Sequence, residues 1–246
     1  MDYPQIARTR GTTWDKWVEY GGINDWCPGD WPGTVWNNDW EAELADQTAQ
    51  RSAIRMHTMT PDEIFVQREM SVAAGSSKFS VKYEIQNQGA IPKEVYWTNH
   101  PDLSPGGKAG PEDVVIVPVA QGTDGLARQA FSSRLQKSDY VPNEGWVLAH
   151  DAKSGEYVAE LFDAKRIEKA GVWEGKKFFT IELVFKKILL QPGEKTSFVI
   201  EYMVGKDALD AVITKLRHQT SVESPKDKAA PGKHSGLPSS SSSEKN

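Results

Sequence analysis

An antiparallel all-β sandwich closed by one C-terminal helix is the fold the sequence predicts, on three observations. Stretches in which apolar and polar side chains alternate recur along most of the chain, the pattern of strands with one buried face. Turn-forming residues separate these stretches at intervals of 10–20 residues, and no amphipathic helices recur between them. That spacing argues against a doubly wound α/β fold and for a large antiparallel sandwich. A single run at helical spacing follows the last strand.

Taken in order, residues 1–40 show little periodicity and are dense in turn residues at "YGGINDWCPGDWPG" (20–33), so a structured aromatic loop is expected there. Alternation begins with "EAELADQT" (41–48), "RSAIRMHT" (51–58) and "EIFVQREMSV" (63–72). "KFSVKYEIQNQG" (78–89) places Phe79, Val81, Tyr83 and Ile85 on one face. After the Gly89–Pro92 turn, "EVYWTN" (94–99) is a strand that leads into His100 and a polar Pro/Gly turn. "DVVIVPV" (113–119), "GWVLAH" (145–150) and "GEYVAELF" (155–162) follow, the last two joined as a hairpin. The stretch 176–204 reads as two long strands on either side of the Pro192–Gly193 turn. In "DALDAVITKLRH" (207–218), Leu209, Val212, Ile213 and Leu216 form one helical face, expected to cap an edge of the sandwich. A single domain over 1–218 is expected. The Lys/Pro/Ser-rich residues 219–246 have too little apolar surface to offset the entropy of ordering and are expected to form a disordered tail.

Composition narrows the function. The 29 basic residues are dispersed among 34 acidic ones, for a net charge of −5. No broad positive field exists for nucleic acid or anionic lipid. With one cysteine, Cys27, no intrachain disulfide can form and no Cys/His cluster has zinc-ligand spacing, which favours a reducing, cytoplasmic setting. No apolar run is long enough for a signal peptide or membrane helix. Six of the nine tryptophans fall between residues 14 and 40, as packing anchors or as the wall of an amphipathic ligand site.

Three islands carry a family resemblance. "EYGGINDWCPG" (19–29), "FSVKYEIQNQGAIPKEVYWTNHPDLSPGG" (79–107) and "IELVFKKILLQPGEKTSFVIEYMV" (181–204) together resemble, in order and spacing, the galactose mutarotase-like superfamily, which includes the aldose 1-epimerases. The resemblance implies a twisted β-supersandwich whose concave face holds a monosaccharide. It implies chemistry without metal or cofactor, in which a carboxylate takes the proton of the anomeric hydroxyl and an imidazolium protonates the ring oxygen. Two features depart from the family pattern. The glycine-rich segment begins at Gly21 with little chain before it, and the early Asn/His/Gly/Arg motif has no counterpart in "DQTAQRSAIRMH" (46–57).

On this resemblance His100 matches the acid and Glu182 the base. The bland alternatives are a histidine that ties down the 101–107 turn and a solvated strand glutamate. By alternation, Glu182 shares a face with Thr180 and Val184, opposite Ile181, Leu183 and Phe185. Asn99 and Asp102 orient substrate or form the local turn. Arg51 and Arg55 share one side of a strand, where they grip hydroxyls or a sugar phosphate, or simply face water. Trp26, Trp31 and Trp97 are candidate walls for a pyranose face, and His57 and His150 are weaker acid candidates. The favoured function is a carbohydrate-recognition or carbohydrate-processing accessory domain, with aldose 1-epimerase or a related isomerase as the alternative. The expected partners are a monosaccharide, oligosaccharide or sugar phosphate, and a protein partner or second copy is left open.

Overall fold

The computed structural model describes residues 23–26, 35, 38–107, 109–121, 124–132, 134, 136–174 and 179–222. The chain runs through β1 (Ile23–Trp26), β2 (Glu41–Gln47), β3 (Arg51–Met59), β4 (Ile64–Ala73), β5 (Lys78–Asn87), β6 (Lys93–Val95), β7 (Thr98–Leu103) and β8 (Asp113–Pro118). It continues through β9 (Leu126–Ala130), β10 (Lys137–Tyr140), β11 (Trp146–Asp151), β12 (Glu156–Leu161), β13 (Ile167–Glu174), β14 (Phe179–Phe185), β15 (Ile188–Leu190) and β16 (Lys195–Lys206), and ends in α1 (Leu209–Val222). Among the described residues all strand pairings are antiparallel.

Two large sheets form the sandwich. One has nine strands in the order β2-β3-β4-β5-β16-β12-β11-β8-β9, the other five in the order β1-β7-β14-β13-β10, and β15 pairs with β6 as a small ribbon. Between the large sheets lies the main core. Val66, Val81, Tyr83, Ile85 and Ile200 come from the nine-stranded sheet, and Ile181, Leu183, Phe179 and Val172 from the five-stranded one. Tyr83 stacks on Phe198 at 4.9 Å and tilts against Trp97 at 5.1 Å, so an aromatic cluster fills one end.

Helix α1 uses the face read from its spacing. Val212, Ile213 and Leu216 are buried against Trp146, Leu148, Tyr157, Ala159 and Met203, which makes a second, smaller core. The helix therefore covers the far face of the nine-stranded sheet rather than a sandwich edge, and it takes in the first four residues of the expected tail, 219–222. The rest of the tail lies outside the described residues. Among the described residues no helix is long and apolar enough to cross a membrane.

Other elements differ from expectation. The aromatic stretch before residue 40 contains a strand, β1, in register with β7 so that Asn24 pairs with His100 and Trp26 with Thr98. Residues 98–103 stay extended through His100 and Pro101, and the turn begins only at Pro105–Gly107, where Gly106 and Gly107 have φ of 74° and 88°. A histidine expected at a strand exit thus sits inside a paired strand. Proline, which has no N–H to donate, falls where the β7–β14 register has no paired residue, between Asn99 and Asp102. Strands β9, β10 and β13 were not marked by alternation.

Candidate functional site

Register on the five-stranded sheet assembles a polar face from four strands. Along β7, Thr98, His100 and Asp102 point away from the nine-stranded sheet, while Asn99 points into the core. On β14, Thr180 pairs with Asp102 and Val184 with Thr98, so Thr180, Glu182 and Val184 join the same face. Pairing of Glu182 with Gly171 and of Thr180 with Trp173 adds Lys169, Gly171 and Trp173 from β13. Lys137 and Asp139 of β10, opposite Trp173 and Gly171, complete it.

His100 and Glu182 meet on this face. Nε2 of His100 lies 3.6 Å from Oε1 of Glu182, and only 6% and 5% of the two side chains is exposed. The other carboxylate oxygen of Glu182, Oε2, accepts a 2.6 Å hydrogen bond from Nζ of Lys137. Lys137 reaches it across the intervening strand because β13 carries no side chain at Gly171. A Cβ there would stand 3.2 Å from Glu182 Oε2, Asp139 Oδ1 and Lys137 Cε alike. Alongside, Lys169 donates to Asp139 at 2.7 Å, and the Thr180 hydroxyl donates to Asp102 at 3.0 Å.

The electrostatics follow from this burial. Desolvation, with the Lys137 ammonium second, pushes His100 down to about 3, so the ring is neutral at neutral pH. Burial raises Glu182, and the hydrogen bond and charge of Lys137 oppose the rise. Asp102 is pushed up to about 6 by burial, against the pull of the Thr180 hydroxyl. Three perturbed titratable groups therefore share one sheet face, a concentration typical of sites that move protons.

The remaining candidates are dispersed. Asn99 is buried in the core, where its amide donates to the Tyr83 hydroxyl at 3.2 Å and its carbonyl accepts from Tyr202 at 2.7 Å. It fixes the strand that carries His100 but lies on the opposite face from it. Trp97 is likewise core, 1% exposed, and packs on Tyr83 rather than lining the polar face. Arg51 and Arg55 do share a side of one strand, as expected, but that strand is β3 of the other sheet. There both guanidiniums bind Glu69, at 2.7 and 3.0 Å, and each takes a second acid, Asp46 or Glu43. His57 faces Glu41 on the same wet surface, and His150 is buried with Nε2 2.9 Å from the Asp207 carbonyl. Trp26 lies in β1 in register with Thr98, and Trp31 lies outside the described residues.

Sequence reading missed Lys137, Gly171 and Trp173. The last is 39% exposed beside Lys137 and Thr180, an aromatic surface on the polar face. The available signal was a glycine inside "EKAGVWE" (168–174), since glycine in a strand marks a close approach of neighbouring groups. Gly171→Val is expected to force Lys137 off Glu182 and to lower stability by about 1–3 kcal/mol through overpacking, measurable by urea denaturation.

Comparisons with known proteins agree on architecture. No family profile matches the sequence, and no curated protein does. Solved structures do. A candidate aldose 1-epimerase of Klebsiella pneumoniae superposes with a TM-score of 0.58 at 15% identity, over 80% of this chain and 62% of that one. A galactose mutarotase-like protein of Clostridium acetobutylicum gives 0.57 at 12% identity, over 71% and 69%. A TPR-domain containing protein of Parabacteroides distasonis gives 0.61 at 14% identity, over 85% of this chain and 40% of that one. These likenesses show that the chain shares the β-sandwich fold of those structures.

Proposed function

We propose that the chain is a carbohydrate-processing domain that binds an aldose on the polar face of the five-stranded sheet and interconverts its anomers. The observation that carries this reading is the convergence of His100 and Glu182, two buried titratable groups 3.6 Å apart. The anomeric hydroxyl and the ring oxygen of a cyclic aldose are bonded to one carbon, so they lie closer together than the two protein groups do. The two side chains are in contact and 6% and 5% exposed, so binding requires the pair to part and admit the two sugar oxygens between them.

The reaction needs one proton on the pair. Oε1 of Glu182 takes the O1 proton as Nε2 of His100 passes its own to the ring oxygen. The C1–O5 bond breaks, C1 becomes a carbonyl, rotation about C1–C2 presents its other face, and the steps reverse. Burial favours the form with the proton on the carboxyl and a neutral ring, so the reactive form, imidazolium beside carboxylate, is the minor one; the Lys137 ammonium favours the carboxylate but also disfavours the imidazolium. Trp173 supplies a flat apolar surface for sugar C–H groups, and Asp102 and Thr180 supply hydroxyl partners.

Polarimetry of freshly dissolved α-D-glucose and α-D-galactose, with and without the protein, tests the reading. A concentration-dependent acceleration of mutarotation is expected with at least one aldose in a broad panel. The second reading, recognition without turnover, is favoured by the neutrality of His100, since a neutral imidazole hydrogen-bonds more readily than it protonates an ether oxygen. Saturable calorimetric binding of a sugar at an unchanged anomerisation rate would select it. No binding and no acceleration across the panel would reject both.

A further inference from the structure

A second site lies between the two large sheets, beside the Trp97 and Phe185 ends of β7 and β14 and on the core side rather than on the His100 face. There a cavity of about 170 Å³ opens beside the β6–β15 ribbon. Its walls are apolar: Ile85, Val95, Phe185 and Phe198, with the two phenylalanine rings 4.1 Å apart. Its volume slightly exceeds the roughly 150 Å³ of an apolar protein cavity able to hold benzene.

Two further features give the cavity a chemical preference. Trp97 lines it and is 1% exposed, yet its indole Nε1–H has no hydrogen-bond partner among the described residues. A buried donor left unmatched is costly, and a ligand oxygen placed against it removes that cost. At the mouth stand Lys165, Arg166 and Lys186. Lys186 donates to the Lys165 carbonyl at 2.8 Å and Arg166 to the Ser197 carbonyl at 2.7 Å. Among the described residues only Arg166 has a carboxylate within reach, Asp163 at 3.8 Å. The mouth is therefore a net cationic rim around an apolar, donor-bearing pocket.

We infer that this cavity binds a small carboxylate with a ring-sized apolar body, the ring against Phe185 and Phe198 and the anionic end toward the Trp97 N–H and the rim. The site is separate from the proposed sugar face and does not depend on it.

Titration of the protein with sodium benzoate, followed by the indole N–H resonances in nitrogen-15 correlation spectra, tests the inference, with Trp97→Phe identifying the Trp97 signal. A saturable shift of that signal is expected, with toluene and acetate each binding more weakly. Trp97→Phe should weaken benzoate about 10-fold or more through loss of a charge-assisted bond. Lys186→Gln, on the exposed rim, should weaken it about 2- to 5-fold, with the difference fading at high salt. An unmoved Trp97 signal, toluene bound as tightly as benzoate, or equal benzoate affinity in the parent and both variants would overturn the inference.

Discussion

Glu182→Gln is expected to slow anomerisation by about 10²–10⁴-fold, the usual range for loss of a positioned acid or base. The amide is nearly isosteric with the carboxylate and can still accept from Lys137 through its oxygen, so the face keeps its shape while losing the group that takes the O1 proton. His100→Ala should fall in the same range, since it removes the proton donor from the other oxygen. Because the two act on a single shared proton, their losses should not add: the double variant is expected to be about as slow as the worse single one. Parent and Glu182→Gln proteins with equal polarimetric rates would remove the mechanism, provided circular dichroism shows both folded.

The same coupling sets a pH dependence. As pH rises through the raised pKa of Glu182, the pair loses the one proton the reaction needs, and the rate should fall. Lys137 favours the ionised carboxylate and so moves this fall to lower pH, which means the pH of the fall is set from a third strand. The position of Lys137 depends on Gly171, whose missing side chain lets the ammonium pass over β13.

Much of this framework was legible in the sequence, and the parts that were not have physical reasons. Alternation correctly set Ile181, Leu183 and Phe185 against Thr180, Glu182 and Val184, because a strand with one face in the core must alternate. It also placed Arg51 and Arg55 on one side of their strand. What alternation cannot supply is which sheet a strand joins, so a ligand grip and a wet face both stay open for the arginines until the nine-stranded sheet carries them to a surface of Glu43, Asp46 and Glu69. Asn99 misled for a related reason. A polar side chain beside His100 reads as a site residue, yet two tyrosine hydroxyls from β5 and β16 satisfy it inside the core. Lys137 sits in a four-residue strand with no apolar residue before Tyr140, too short to show a period, and it reaches Glu182 only through pairings distant in sequence.

Replacing Glu160 with methionine is expected to stabilise the protein, and more so at pH 8 than at pH 4. Glu160 lies in β12, with Tyr202 and Val147 as its register partners in the main core. It is 0% exposed, and among the described residues neither carboxyl oxygen has a hydrogen-bond partner. Burial alone raises its pKa well above the ordinary 4.5. The sign follows directly. Between 4.5 and the folded-state pKa the unfolded chain gives up a proton that the folded chain keeps, so stability falls by about 1.4 kcal/mol for each pH unit in that window. Below 4.5 the carboxyl is protonated in both states and this loss is absent. Methionine has a similar volume and no charge to desolvate, so it removes the pH-dependent loss and also the cost of a buried, unmatched polar group. In a protein of this size each 1 kcal/mol corresponds to about 2–4 °C in Tm, so thermal unfolding of parent and Glu160→Met proteins from pH 4 to 8 resolves the effect. A Tm difference that stays constant over this range, or a variant less stable than the parent at pH 8, would show that Glu160 has a partner in the fold that offsets its burial.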